Sequence, residues 1–491
     1  MIFRVVLLLS IALAPWRSVM AEQSSHTIKT YLSFAYPVDP ANVKTLVDLD
    51  ISYALSTALV DWNDSRNLSA GLAEQVESSN PKELLLRLRP EAKWSDGSSV
   101  TAKQVIRSID HAKKLHDEAM NGLFEMITSI EAKDDRTLVF KLNRPVGQSQ
   151  ILHKLTEPVY GVVFINENGT MDLAKTTGPF SLKSGSPQEL IMTVNPHWYA
   201  YHAAMAKEVI VRQPSRGAKA EEEGFASDPW PNLTTASSLM SETSETNFKK
   251  QHYSIWNRNL DRLFFFSPSE RLRTNTGRSL VQVIRAKLDR TLLLKGLGGY
   301  RLSEQFFPPG YVIFDPEFKN TSSTPELPAA FKKKPLQLLA AEGRVGKALQ
   351  DNITAAVKGI TGIAPQFTIV PLNKIAEALT AGQYDIAVLT VAVNDPNVEG
   401  PVSFLFGMNP PLIANGINEQ GNFKARVIKA RSQDEKVRNA AYRNIFTEAT
   451  NEGCVLPLFH FSSIAIAREG IDLSKVPTTD ETVAFAKIRF K

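Results

Sequence analysis

From Ile386 to Val393 the chain reads Ile-Ala-Val-Leu-Thr-Val-Ala-Val, and no other stretch of the sequence restricts the fold as much. A strand with one wet face alternates polar and apolar residues, whereas a strand covered by helices on both faces reads as a continuous apolar run. Strand-like and helix-like patterns precede it in alternation. Leu336 to Ala340 is a short apolar strand, Val345, Leu349, Ile353 and Ala356 mark one helical face, Phe367 to Val370 is a second strand, and Ile375 to Leu379 lies in another helix. This order predicts a βαβαβ unit with a mainly parallel sheet and right-handed crossovers. A helix around Val437, Ala441 and Ile445 precedes the last strands, which begin at Val455.

The first half follows other periods. Apolar positions at Leu46, Leu49, Tyr53 and Leu59 predict a helix reaching towards Trp62. Leu84, Leu86 and Leu88 then alternate with Leu85, Arg87 and Arg89 as in a half-buried strand, and Asp96-Gly97 is a turn. Thr101 to His116 is a helix with Thr101 and Gln104 at capping-box spacing and Val105, Ile109 and Ala112 on one face. A hairpin follows, from Ile127 and Ile130 through a charged turn to Leu138, Phe140 and Leu142, so this unit is α+β. Thr177-Gly178-Pro179-Phe180 opens another strand pair that closes near Ile191 to Asn195. From Gln213 to Thr235, proline, glycine, alanine and the Glu221 to Glu223 run predict an irregular surface connection.

The amino terminus has the pattern of an export leader. Met1 to Arg4 give a positive start, Val5 to Ala14 an apolar stretch too short for a membrane anchor, and Val19-Met20-Ala21 small residues for cleavage before Glu22. The expected location is the periplasm. Without Arg4 and Arg17 the mature chain has 54 basic against 51 acidic residues, too even a balance, and too scattered, for nucleic acid as a partner. Lys332 to Lys334 reads as a solvated loop. The single cysteine rules out an internal disulfide, and Cys454, beside Val455 and Leu456, is expected to be a buried, inert thiol.

Catalytic and metal motifs are missing from the sequence. There is no Gly-x-Ser-x-Gly elbow, no His-Glu-x-x-His pair and no phosphate loop. His111 with His116, and His197 with His202, stand five apart, off the spacing that puts two ligands on one helical face. No catalytic residue, metal site or cofactor is therefore expected.

Several segments resemble, in order and spacing, the extracellular solute-binding proteins of family 5, which serve peptide and related ABC importers. Val38-Asp39-Pro40 and Leu72-Ala73-Glu74 are similar to two early elements of that family. Leu86 to Gly97, with Trp94-Ser95-Asp96-Gly97, followed by Val100 to Val105, resembles its signature. Thr177 to Phe180, Asn195-Pro196-His197-Trp198, Leu288-Asp289-Arg290 and Gly382-Gln383-Tyr384-Asp385 extend the match.

The resemblance implies an α/β fold of the type II periplasmic-binding class, with two α/β lobes closing on a cleft and an inserted α+β lobe. By this mapping residues 1–21 are the signal peptide, 22–61 with 166–235 and 452–491 form lobe I, 62–165 the inserted lobe II, and 236–451 lobe III. It further implies capture of an oligopeptide or similar polar solute by hinge closure and delivery to ABC permease subunits in the inner membrane, as a monomer. Two other readings are a periplasmic hydrolase or amidase on the same frame and a sensor that has lost transport.

In family members that take peptides, an Asp soon after the buried strand of lobe III pairs with the ligand's amino terminus. Asp395 is nearest, while alignment of Pro401-Val402-Ser403-Phe404-Leu405 with the family's Pro-x-x-Phe-Leu puts Asn397 at the acidic position. Trp230 and Tyr36 are the aromatic candidates for ligand contact from lobe I, Trp230 lying in a connection that lacks the family's Gly-Glu-x-Asp element.

Overall fold

The computed structural model describes residues 26–490 except 33, 44–45, 64–66, 116–122, 125, 144–147, 215–227, 237–241, 252, 258–261, 298–299, 310, 319–324, 394–397, 399–400, 403–404, 407–411, 414–421, 432–433, 463 and 477–483. The expected leader lies outside these residues.

Lobe I is built on a four-stranded sheet in the order Thr27–Tyr31, Glu208–Arg212, Glu189–Val194, Phe180–Gly185. The first two strands are parallel, with Tyr31 opposite Arg212, and the remaining pairs are antiparallel. Strand alternation sends Ile28, Val209, Val211, Leu190 and Met192 into one apolar core with Ile51, Ala54 and Leu55 of the helix Leu46–Leu55. The opposite face carries Lys29, Tyr31, Arg212 and Glu189.

That helix was expected to run towards Trp62, but it stops at Leu55. Thr57 is captured instead by Thr177, whose Oγ1 accepts from the Thr57 N–H at 3.0 Å and whose carbonyl accepts from the Thr57 hydroxyl at 2.8 Å. Gly178 packs so closely here that a Cβ would lie 2.5 Å from the Leu55 carbonyl carbon. The chain then pairs Val60–Trp62 with Leu68–Ala70 as a short hairpin.

The inserted lobe is an antiparallel sheet in the order Ala73–Asn80, Glu83–Leu88, Thr137–Leu142, Ile127–Ala132, covered by the helix Ala102–Leu115. Leu84, Leu86, Leu88, Leu138 and Phe140 meet Val105, Ile109 and Trp94 in its core. Gln104 closes the capping box: its Oε1 accepts from the Thr101 N–H at 2.9 Å and also from the fully buried Trp94 indole at 3.1 Å. The signature segment is thus scaffold.

Lobe III holds a six-stranded sheet in the order Tyr300–Leu302, Leu456–Phe461, Arg262–Pro268, Ile386–Ala392, Gln337–Ala341, Gln366–Val370. The last three strands are mutually parallel and form the expected βαβαβ unit. The first three join antiparallel, so the sheet is mixed rather than mainly parallel. Leu263, Phe265, Ala387 and Val391 enter one core, while Phe264, Phe266, Ile386 and Val388 enter another on the opposite face. Burial on both faces is why Ile386–Ala392 carries almost no polar residue.

A three-stranded sheet, in the order Leu233–Ala236, Ile464–Ala467, Ser254–Asn257, shares the core of lobe I through Leu233, Trp256, Ala465 and Ala467. Leu233–Ala236 falls in the stretch read as irregular; it is extended because Ile464–Ala467, more than two hundred residues later, pairs with it. Ser254–Asn257 sits with lobe I although its position fell in the range expected for lobe III. Leu456–Phe461, expected in lobe I, is an interior strand of the lobe III sheet.

Candidate functional site

The chain passes twice between lobes I and III. Asn257 lies opposite Ile464 on one side of the crossing, and Arg262 lies opposite Phe461 on the other. Residues 258–261 and 462–463 therefore bridge two hydrogen-bonded ladders. Two connections between the same two sheets, each a few residues long and placed at the ends of strands, are where a hinge between lobes is found.

On the lobe III side, the edge at the crossing is the carboxyl end of its parallel strands, since Arg262 pairs with Ala392 at the end of Ile386–Ala392. Ala341 and Val370 end the two parallel neighbours at the same edge. In open α/β sheets, ligands bind in the crevice outside the carboxyl ends of the strands. Asp395 and Asn397 follow directly from this edge in sequence and lie outside the described residues.

The lobe I candidates are described. Tyr36 is 46% exposed in the loop after Thr27–Tyr31, and its hydroxyl donates to the Gly185 carbonyl at 3.1 Å. Gly185 admits the ring, because a Cβ there would lie 3.2 Å from Tyr36 Cε2. Tyr36 is thereby pinned at the end of Phe180–Gly185 with much of its ring open to solvent.

Trp230 lies against the sheet face opposite the core. Its ring centroid is 4.9 Å from that of Tyr31, and the Arg212 guanidinium carbon stands 4.2 Å from the ring centre. The Arg212 Nε donates to Glu189 at 2.6 Å, which fixes the guanidinium over the indole. Asp228 holds the turn: one carboxylate oxygen accepts from the Trp230 N–H at 2.9 Å and the other from the Tyr31 hydroxyl at 2.7 Å. The Trp230 N–H, followed by the Tyr31 hydroxyl, holds the Asp228 carboxyl below the usual carboxylate range. Burial, with Asp228 second, pushes the Tyr31 hydroxyl up.

Arg468 and Asn232 fasten this connection, and nothing in the sequence pattern marked them. The Arg468 guanidinium donates to the carbonyls of Pro231 at 2.7 Å and Asp228 at 2.6 Å and to the Tyr253 hydroxyl at 2.5 Å. The Asn232 side chain accepts from the Lys29 N–H and donates to the Thr27 carbonyl, both at 2.7 Å, so that it stands in for a strand partner.

His460 was also overlooked. It is 1% exposed in Leu456–Phe461, two residues before the crossing, with Nε2 3.2 Å from the Gln305 carbonyl. Its Nδ1 has no hydrogen-bond partner among the described residues. Burial, aided by the nearby Arg301, pushes its pKa down to about 4, so the ring is neutral. Cys454 is buried as expected, and burial raises its thiol to about 11. Among the described residues, no group of three or more His, Cys, Asp or Glu could hold a metal ion, and no helix is long and apolar enough to cross a membrane.

Comparison with known proteins agrees with this arrangement. Residues 67–410 match the model for the middle region of bacterial extracellular solute-binding proteins, family 5. The periplasmic oligopeptide-binding protein OppA of Escherichia coli (strain K12) is 28% identical over 142 residues, 25% of this chain and 26% of the relative. The chain thus matches about a quarter of that relative's length. A dipeptide-binding protein from Pseudoalteromonas sp. SM9913, solved with Met-Leu, superimposes with a TM-score of 0.76 at 13% identity, covering 95% of this chain and 100% of that one. NikA from Brucella suis, solved with Fe(III)-EDTA, gives a TM-score of 0.74 at 16% identity over 95% and 100% of the two chains. The fold is that of type II periplasmic binding proteins, with two α/β lobes and an inserted α+β lobe. With the family model covering most of its length, the chain belongs to the bacterial extracellular solute-binding proteins of family 5.

Proposed function

We propose that this protein is the periplasmic solute-binding component of an ABC importer, capturing an oligopeptide or similar polar solute between lobes I and III and handing it to a membrane permease. The observation that carries the reading is that Arg262 and Phe461, from which the chain passes to lobe I, pair at the carboxyl edge of the parallel lobe III strands. Closure about such a hinge brings two rigid faces onto a solute and removes it from water, which strengthens each polar contact made to it. Lobe I comprises the four-stranded sheet and the three-stranded sheet that shares its core; lobe III begins at Arg262 and ends at Phe461. The residues after Ala392, with Asp395 or Asn397 among them, supply the polar group for one end of the solute, and Tyr36 offers an aromatic surface from lobe I. The leader directs export, the mature protein acts as a monomer, and the bound solute leaves chemically unchanged.

X-ray scattering during titration with a mixture of short peptides tests this. Capture predicts a smaller radius of gyration on saturation with no change in molecular mass. An unchanged radius at saturating binding would rule out closure, and hydrolysed peptide in the same samples would rule out a purely binding role.

A further inference from the structure

The outer edge of lobe III carries an arginine pair that solute capture does not use. Arg285 stands in the helix Asn275–Lys287 and Arg290 opens the short helix Arg290–Leu293, and both guanidinium groups reach the loop after Tyr300–Leu302. Their side chains are 1% and 12% exposed. Nη1 of Arg285 donates to the Thr450 carbonyl at 3.1 Å and to Asn451 Oδ1 at 3.0 Å, at the carboxyl end of the helix Glu435–Asn451. Nη1 of Arg290 donates to the carbonyls of Ser303 at 2.5 Å and Leu458 at 3.3 Å.

Three of their other donors, Nε and Nη2 of Arg285 and Nη2 of Arg290, are buried and have no hydrogen-bond acceptor among the described residues. One carboxylate faces both: Glu304 stands 3.7 Å from Arg285 Nη2 and 3.8 Å from Arg290 Nη2, beyond hydrogen-bonding reach, with its side chain 40% exposed. Two buried cations thus share one distant, half-solvated anion. Burial lowers the pKa of both guanidinium groups, as expected where charge is incompletely compensated. Unsatisfied buried donors on a charged group are costly, so the arrangement calls for an acceptor. Nε and Nη2 lie along one edge of the guanidinium, the edge that grips two oxygens of a carboxylate or phosphate at once.

We propose that Arg285 and Arg290 form an oxyanion site on lobe III, separate from the solute cleft, in which Nε and Nη2 of Arg285 and Nη2 of Arg290 hold a phosphate or carboxylate group and Glu304 is the cover that swings out to admit it. The site is set back from the crossing, beside Leu458 and Ser303.

Calorimetry with inorganic phosphate, and separately with acetate, at fixed ionic strength tests it on the full chain. The wild type binds at least one of the two oxyanions at a single site. Glu304→Gln, a change at a half-exposed position that removes a competing negative charge, binds it at least about tenfold more tightly. Arg290→Met loses that binding in the Glu304→Gln background, and a crystal of Glu304→Gln with the oxyanion shows its oxygens against Nε and Nη2 of Arg285. Should Arg290→Met fail to fold, the crystal alone locates the anion. The proposal is overturned if neither oxyanion binds the wild type or Glu304→Gln, which would make Glu304 itself the permanent partner, or if binding survives Arg290→Met unchanged, which would put the anion elsewhere.

Discussion

His460 gives the most quantitative expectation. The folded protein holds its imidazole neutral with a pKa near 4, against 6.5 for a free histidine. Between those values the unfolded chain binds a proton that the folded chain refuses, so stability rises with pH across this window and is lost as pH falls through it. The full difference, reached below the folded value, corresponds to about 3 kcal/mol, and roughly 2 kcal/mol is already gone at about pH 5. Many carboxylates also titrate there, so the contribution is isolated by comparing the wild type with His460→Gln, whose amide can still donate to the Gln305 carbonyl. Urea unfolding of both proteins at neutral pH and at about pH 4 measures it. Wild type should lose about 3 kcal/mol more than the variant over that interval. Parallel loss in the two proteins would refute the reasoning, because His460 would then be free to protonate in the folded state.

Gly178→Ala puts a methyl group 2.5 Å from the backbone at Leu55 and should cost more than about 3 kcal/mol or abolish folding, read by urea unfolding and soluble yield. Gln104→Leu leaves the buried Trp94 N–H and the Thr101 N–H without their acceptor and should cost about 2 to 3 kcal/mol by the same measure. Trp230→Ala removes the ring held between Tyr31 and Arg212 and should lower stability by about 2 kcal/mol, read by urea unfolding. Of Asp395→Ala and Asn397→Ala, the one that removes the contact to the solute's polar end should weaken binding by about 2 to 4 kcal/mol, and amino-terminal acetylation of a peptide should match it only if Asp395 is that residue.

Much of the fold was legible because it is written in local periods. The unbroken apolar run at Ile386–Ala392, the alternation of Leu84, Leu86 and Leu88, and the Thr101–Gln104 cap each report their own surroundings. What stayed hidden depends on partners far along the chain. Leu233–Ala236 is four residues with no clear alternation, and it is a strand because Ile464–Ala467 pairs with it. Leu456–Phe461 gives no sign of which lobe it joins; its place is fixed when Phe459 stacks on Phe264 with ring centroids 4.8 Å apart. The helix after Leu46 ends early for a similar reason, since Thr177 competes for the Thr57 backbone.

The candidate site was less legible than the fold. Tyr36 was visible only as an aromatic residue ahead of Pro37, and its ring is partly exposed. Asp228, Asn232 and Arg468 act through single hydrogen bonds between irregular segments, and such residues carry no periodic signal. His460 gave no warning either, because a neutral buried histidine in an apolar strand has the same letter as a charged one on the surface.

Native mass spectrometry of the protein purified from its native cells, before and after partial unfolding and refolding, tests capture of a solute between lobes I and III. Capture predicts a single small molecule bound one to one, released on unfolding and rebound on refolding with it. A bare protein mass, together with no complex when short peptides are added to the stripped protein, would rule out capture.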